Sequence, residues 1–193
     1  MLPNTPRRLR KQPPKMSRLN ESVPPPDPSG LTVRQAGLSD ITQILAIMDD
    51  AREVMRSSGN LHQWTGGYPS FPVIEKDIVA ERGFVCVDAA GTLQGYFVFM
   101  PSPEPTYAVI YDGAWLDDEH PYHVLHRIAG RAGSHGVFRA MLAFAAARED
   151  NLRIDTHRDN RIMQHLVTEA GFSYCGIILL DSGDERLAYQ RIR

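Results

Sequence analysis

A chain of 193 residues, 42% of them hydrophobic, is long enough for one ordinary domain with a sizeable core and an appendage. A formal net charge of −2 gives no whole-molecule field to draw in a polyanion such as a nucleic acid. No apolar run approaches the roughly 20 residues of a membrane-spanning helix, and the only two cysteines, Cys86 and Cys175, lack the close spacing of a zinc or redox pair and read as buried thiols of a cytoplasmic protein.

Residues 1–30 are rich in proline and poor in large apolar groups, and their basic residues, from Arg7 to Arg18, precede the first acid, Glu21. Such a segment cannot bury enough surface to offset the entropy of ordering, so it is predicted to be a disordered basic tail. It has no apolar core of a secretory signal. A solvated extension, a start at Met16, a transit peptide, and contact with RNA or anionic lipid are the readings it allows.

The folded domain is predicted over residues 31–193. LTVRQA alternates as a half-buried strand does. Ser39 or Asp40 can cap a helix carrying Ile41, Ile44, Leu45 and Met48 at helical spacing and running on toward Gly59. An aromatic loop follows, His62 to Pro69, and then a second helix from Ser70 with Pro72 in its first turn. FVCVD and LQGYFVFM, joined by a turn, read as a hairpin, and TYAVIY as a further strand. YHVLHRIA is a strand that leads into the glycine-rich GRAGSHG, after which a helix places Val137, Ala140, Met141 and Phe144 on one face. LRIDTH is a strand, and residues 162–170 form a helix stopped by a left-handed Gly171. YCGIILL and RLAYQRI close a mixed α/β pattern.

Gly130, Gly133 and Gly136 punctuate a strand-to-helix junction. The unpaired amides and dipole of the following helix make such a turn an anion site, and a pyrophosphate is a natural guest; a simple connection is the plain alternative. Arg131 and His135 add donors.

The run NLRIDTHRDNRIMQHLVTEAGFSYCG, from Asn151 to Gly176, is a strand, a polar loop, an amphipathic helix stopped by glycine and a second strand. That order resembles the acetyl-CoA-gripping half of the GCN5-related N-acetyltransferase (GNAT) superfamily, and the resemblance extends over residues 31–193. It implies an α/β fold with a central mixed sheet, splayed fourth and fifth strands and flanking helices. The family carries a Gln/Arg-x-x-Gly-x-Gly/Ala loop. Setting Arg131 first puts Ser134 at the first glycine and Gly136 at the second; making Gly136 the first glycine puts Phe138 at the second and Gly133 at the Gln/Arg position. The implied acetyl-CoA contacts are Ile128, Ala129 and Gly130 at the end of the fourth strand, then Arg131, Gly133, Ser134, His135, Gly136 and Val137 around the phosphates, and Asn160 and Met163 near the pantetheine. GNLHQWTGGYPS followed by VIEKDI resembles the segment bordering the acceptor in a bacterial subgroup, with Trp64 and Tyr68 as walls for an ammonium group or as a cluster pinning the loop.

The resemblance implies acetyl transfer from acetyl-CoA, as co-substrate, to a primary amine of a small molecule, amino acid or peptide by direct attack. A non-catalytic acyl-CoA-binding module is the alternative, favoured by Val167 at the position where the family places a proton-donating tyrosine. A different α/β protein using the glycine loop for a nucleotide ranks below both, since the chain carries neither a Walker lysine nor a dinucleotide fingerprint. Tyr174 or a water is the candidate substitute donor. His126 is the candidate base, on the face opposite His123 and Arg127 by alternation, and Asp155 and His157 share a face where they can pair. His120, His123 and His126 are three apart on a strand and cannot converge on a metal, so none is expected. Relatives often form homodimers; no pattern here selects an interface.

Overall fold

A computed structural model describes residues 30–193; the expected tail, residues 1–30, lies outside the described residues except for Gly30. The elements are β1 (Thr32–Gln35), α1 (Ile41–Ser57), α2 (Phe71–Val79), β2 (Gly83–Val87), β3 (Leu93–Pro101), β4 (His123–Gly130), α3 (Val137–Ala146), β5 (Asn151–Thr156), α4 (Arg161–Glu169), β6 (Ser173–Leu179) and β7 (Glu185–Ile192). The strands form one sheet in the order β1-β2-β3-β4-β5-β7-β6. Its ladders are antiparallel except β4–β5, which is parallel. This is the mixed α/β architecture that the alternating and helical periodicities predict.

Period-two alternation divides the sheet side chains between two cores. On one face Ile44, Ile47 and Met48 of α1 and Ile74 of α2 pack on Val85, Tyr96, Val98 and Val124. On the other, Met141 and Phe144 of α3 and Val167 of α4 pack on Phe97, Phe99, Leu152 and Ile154. Burying α4 on only one side suits its narrow stripe, and Gly171, at φ +81, stops it as expected.

Two expected features differ. TYAVIY is not a strand: Pro105–Tyr107 is a single 3-10 turn, and only Tyr111 pairs, through one bridge to Ile177. β-branched content without alternation is what misleads there, because Val109 and Tyr111 are exposed while Tyr107 is buried. Nor does Asp40 cap α1. Its carboxylate turns back to accept the Gly37 amide at 2.8 Å and pairs with Arg34 at 2.7 Å.

The β4–β5 ladder ends after three pairs, His123 with Leu152, Val124 with Arg153 and Leu125 with Ile154. Beyond Leu125 the strands part. A bulge lies at this point, since Val98 opposes His126 and Tyr96 opposes Ala129, leaving Arg127 and Ile128 against Phe97 alone. Arg127 holds a left-handed φ of +51. The extra residue also breaks the alternation that predicts Arg127 opposite His126. Arg127 instead addresses the α1/α2 face, where its Nε and Nη2 donate to Asp77 of α2 at 2.6 Å each.

Candidate active site

A cleft of about 1200 Å³ opens where β4 and β5 separate. Every residue expected to bind the cofactor lines it, from Ile128 through Gly130, Arg131, Gly133, Ser134, His135, Gly136 and Val137 to Asn160 and Met163, and so do Trp64, Tyr68, His126 and Asp155. Its size exceeds the roughly 300–1,000 Å³ of a single-ligand pocket, which suits two substrates meeting.

One end is built from the β4–α3 turn. The amides of Gly133, His135, Gly136, Val137 and Phe138 donate to no protein acceptor among the described residues. Gly133 and Gly136 carry φ of +75 and +77, conformations that a side chain would strain. Ser134 does not need that freedom: its amide and hydroxyl both return to the Arg131 carbonyl, at 3.0 and 2.7 Å. The left-handed turn falls on Gly133 instead, so serine at the family's first glycine position is accommodated when Arg131 leads the motif. Arg131 is anchored through Nε to the Leu93 carbonyl at 2.7 Å, and the Ala132 amide is taken by Asp50 at 2.8 Å. A rim of unsatisfied amides at a helix N-terminus fits a pyrophosphate. The freed edge of β4 from His126 to Gly130 fits an extended arm alongside it. Asn160 caps α4 by accepting the Met163 amide at 3.0 Å, and its Nδ2 donates to Gln63 at 2.9 Å, tying the α1–α2 loop to this end.

At the other end His126 lies between two carboxylates. Its Nε2 is 3.4 Å from Glu104 and its Nδ1 is 3.4 Å from Asp155. Tyr107 donates its hydroxyl to Asp155 at 2.7 Å, and Thr106 donates its own to Glu104 at 3.0 Å. Burial works against a charged imidazole, but the two carboxylates outweigh it and raise the His126 pKa to about 9. His126 therefore carries a proton at neutral pH, in contrast to the ordinary imidazole range expected from sequence. His126 holds the Glu104 carboxyl low, against its burial. Burial pushes Asp155 up, and His126, Tyr107 and Arg186 together bring it below its usual value.

The remaining candidates stand apart. Asp155 and His157 do not pair, because β5 ends at Thr156 and the chain turns; His157 Nδ1 instead accepts the Asp159 amide at 3.1 Å. Burial and the nearby Arg186 keep His157 neutral by lowering its pKa. Tyr174 is half exposed, packs edge-on against Tyr189 at 5.7 Å and is not among the residues lining the cleft. Val167 is buried in the α3/α4 core. Trp64 and Tyr68 meet edge to face at 6.4 Å on the cleft wall. Sequence reasoning missed Glu104, Tyr107 and Asp77; the first two sit in a proline-flanked turn whose residues follow no period.

No protein-family profile and no curated protein sequence matches the chain. Among solved structures it is similar to a GNAT-family acetyltransferase from Streptococcus agalactiae, with 34% identity and a TM-score of 0.78 over 85% of this chain and 96% of that one. A GNAT-family acetyltransferase from Listeria monocytogenes shares the fold at 24% identity, with a TM-score of 0.60 over 84% of this chain and 95% of the other. A third of the residues are thus identical across nearly the whole of a solved relative, and the splayed β4–β5 cleft is built from the positions that first suggested the resemblance; the chain belongs to the GNAT family of acetyltransferases.

Proposed function

We propose that the protein is a cytoplasmic N-acetyltransferase that moves an acetyl group from acetyl-CoA to the primary amine of a small molecule, amino acid or peptide by direct attack. The observation that carries this reading is the continuity of one cleft from the bare amides of the β4–α3 turn to the Glu104–His126–Asp155 cluster. Bound acetyl-CoA would supply an electrophilic thioester carbonyl and a thiol leaving group. The turn would hold its phosphates, and the open edge of β4 around Ile128, Ala129 and Gly130 would hold its arm and offer amides to the carbonyl oxygen.

The cluster handles the proton. Two carboxylates and one imidazolium leave it one negative charge, a good host for an incoming ammonium. That second cation destabilises the imidazolium, which releases its proton to solvent. The ammonium passes its first proton through the now neutral His126 to solvent, which frees the nitrogen lone pair to attack; His126 then takes a second proton from that nitrogen as the new C–N bond forms, and returns it to the sulfur as the C–S bond breaks. This assigns to His126 both the role of base and the donor role for which Val167 has no titratable group. The same cluster weighs against a merely binding module, which needs no buried, protonated histidine at the acyl end.

Release of free CoA thiol with a broad panel of amines tests the reading; no release with any amine, from protein that binds acetyl-CoA, would leave the binding module in its place. Replacement of Gly136 by leucine is expected to weaken acetyl-CoA binding at least about tenfold, since a side chain at φ +77 costs roughly 1–2 kcal/mol and covers the amides. Calorimetry reads the effect, and unchanged affinity would place the phosphates elsewhere.

A further inference from the structure

Three arginines face the α1/α2 side of the sheet around the acyl end, and two are each paired with a carboxylate. Arg127 is clamped by Asp77 and donates to the Tyr68 hydroxyl at 3.0 Å. Arg153 is stacked between the rings of Trp115 and Tyr122 and pairs with Asp118 at 2.9 Å.

Arg186 of β7 is different. It is 8% exposed, lines the cleft, and makes one hydrogen bond among the described residues, from Nη1 to the Glu185 carbonyl at 2.9 Å. No carboxylate among the described residues forms an ion pair with it. A guanidinium has five donors, and Asp155 is near enough to feel this charge without pairing with it, so the buried fork keeps donors for an anion. Its position is equally specific. Asp155 pairs directly with Ala188, two residues along β7 from Arg186, so Arg186 stands diagonally across the ladder on the face that carries Asp155 and His126. That diagonal is roughly 7–8 Å between backbones, within the reach of an arginine side chain. An acceptor whose amine rests against Glu104 and Asp155 would present its next few atoms to this guanidinium.

We propose that Arg186 is the specificity determinant of the acceptor site and binds a carboxylate, so that the acceptor is a small amino carboxylate, taken up with its amine at the Glu104–His126–Asp155 cluster and its acid on Arg186. The inference rests on the acetyltransferase reading above and narrows its acceptor class. The planar fork of arginine suits a carboxylate through two parallel hydrogen bonds, which lysine cannot reproduce.

The test compares matched pairs, each amino acid against its own methyl ester, in the thiol-release assay with wild type, Arg186→Gln and Arg186→Lys. Wild type should prefer the free acid of at least one pair by about 100-fold in kcat/KM. Arg186→Gln should lose that preference, by raising KM for the acid far more than for its ester, while acetyl-CoA affinity stays near wild type; Arg186→Lys should restore only part of it. Retained acetyl-CoA binding shows that the variants are folded. Wild type that turns over esters as well as acids, or a preference that survives Arg186→Gln, overturns the inference and leaves the acetyltransferase reading standing. If no pair is turned over, the broad amine panel still decides the acetyltransferase reading, and binding of the same pairs with CoA present decides this one: acid preference lost in Arg186→Gln supports it, and equal binding of acid and ester refutes it.

Discussion

Replacing Asp77 with alanine is expected to destabilise the domain by about 3–5 kcal/mol, the cost of leaving one partner of a buried ion pair uncompensated. Asp77 is 6% exposed and accepts three hydrogen bonds: two from Arg127, and one from the Tyr96 hydroxyl at 3.2 Å. Its loss strands a guanidinium that burial already opposes. The same pair holds Arg127 in a left-handed conformation worth roughly 1–2 kcal/mol of strain. Without Asp77 the bulge has less reason to persist, and the bulge lies where β4 leaves β5. Acetyl-CoA affinity is therefore expected to fall along with stability. Adding Arg127→Gly should recover part of the loss, because glycine removes the orphaned charge and adopts positive φ without strain. Urea denaturation with calorimetry on the three proteins checks this. A loss below about 1 kcal/mol, the range of a solvated surface pair, would mean that the Arg127–Asp77 contact does not hold the bulge.

The bulge also marks where the sequence stops being legible. Regular elements were readable because burial imposes a period: the stripe of α4 and its Gly171 stop, the β2–β3 hairpin, and the strand–glycine–helix passage from His123 to Ala146. The turn of bare amides between β4 and α3 followed from these, since its backbone amides and glycines are local to one segment. The Glu104–His126–Asp155 cluster did not. His126 and Asp155 were both candidates, yet their meeting depends on β4 and β5 pairing in parallel, and Glu104 arrives from a turn after β3 with no periodic signature. HVLHRIA alternates on paper, and only pairing with β3 reveals that one residue is extra. The expected Asp155–His157 pair failed for a related reason: alternation places both on one face only while the strand continues, and it ends between them.

Replacing His126 with glutamine is expected to lower kcat/KM by about 10²–10⁴-fold, the usual contribution of a positioned acid–base group. The pH profile carries the sharper test. Because kcat/KM reports the free enzyme, and free His126 is protonated below about 9, activity should rise with pH toward that value. An acceptor whose amine titrates near 7.7–8 keeps its own ionisation from mimicking the limb. The limb in kcat should lie at lower pH than the limb in kcat/KM, since a bound ammonium favours loss of the imidazole proton. Glu104→Gln removes one of the two carboxylates that hold the pKa up, so the limb should move to lower pH as the maximal rate falls, and NMR of the His126 ring should show the same displacement without substrate. Stability follows the opposite sense on the alkaline side. A histidine whose folded pKa is raised stabilises fully below its unfolded value near 6.5, and that contribution disappears as pH climbs through about 9. Glu104 and Asp155, both depressed, stabilise above roughly pH 4 and lose that effect in acid. Wild type should therefore be most stable between about pH 4.5 and 6.5, on the acid side of its activity, because the proton that stabilises the fold is the one that must leave before catalysis. Activity that falls, rather than rises, through pH 9 would reverse the assignment and make the imidazolium the acting acid.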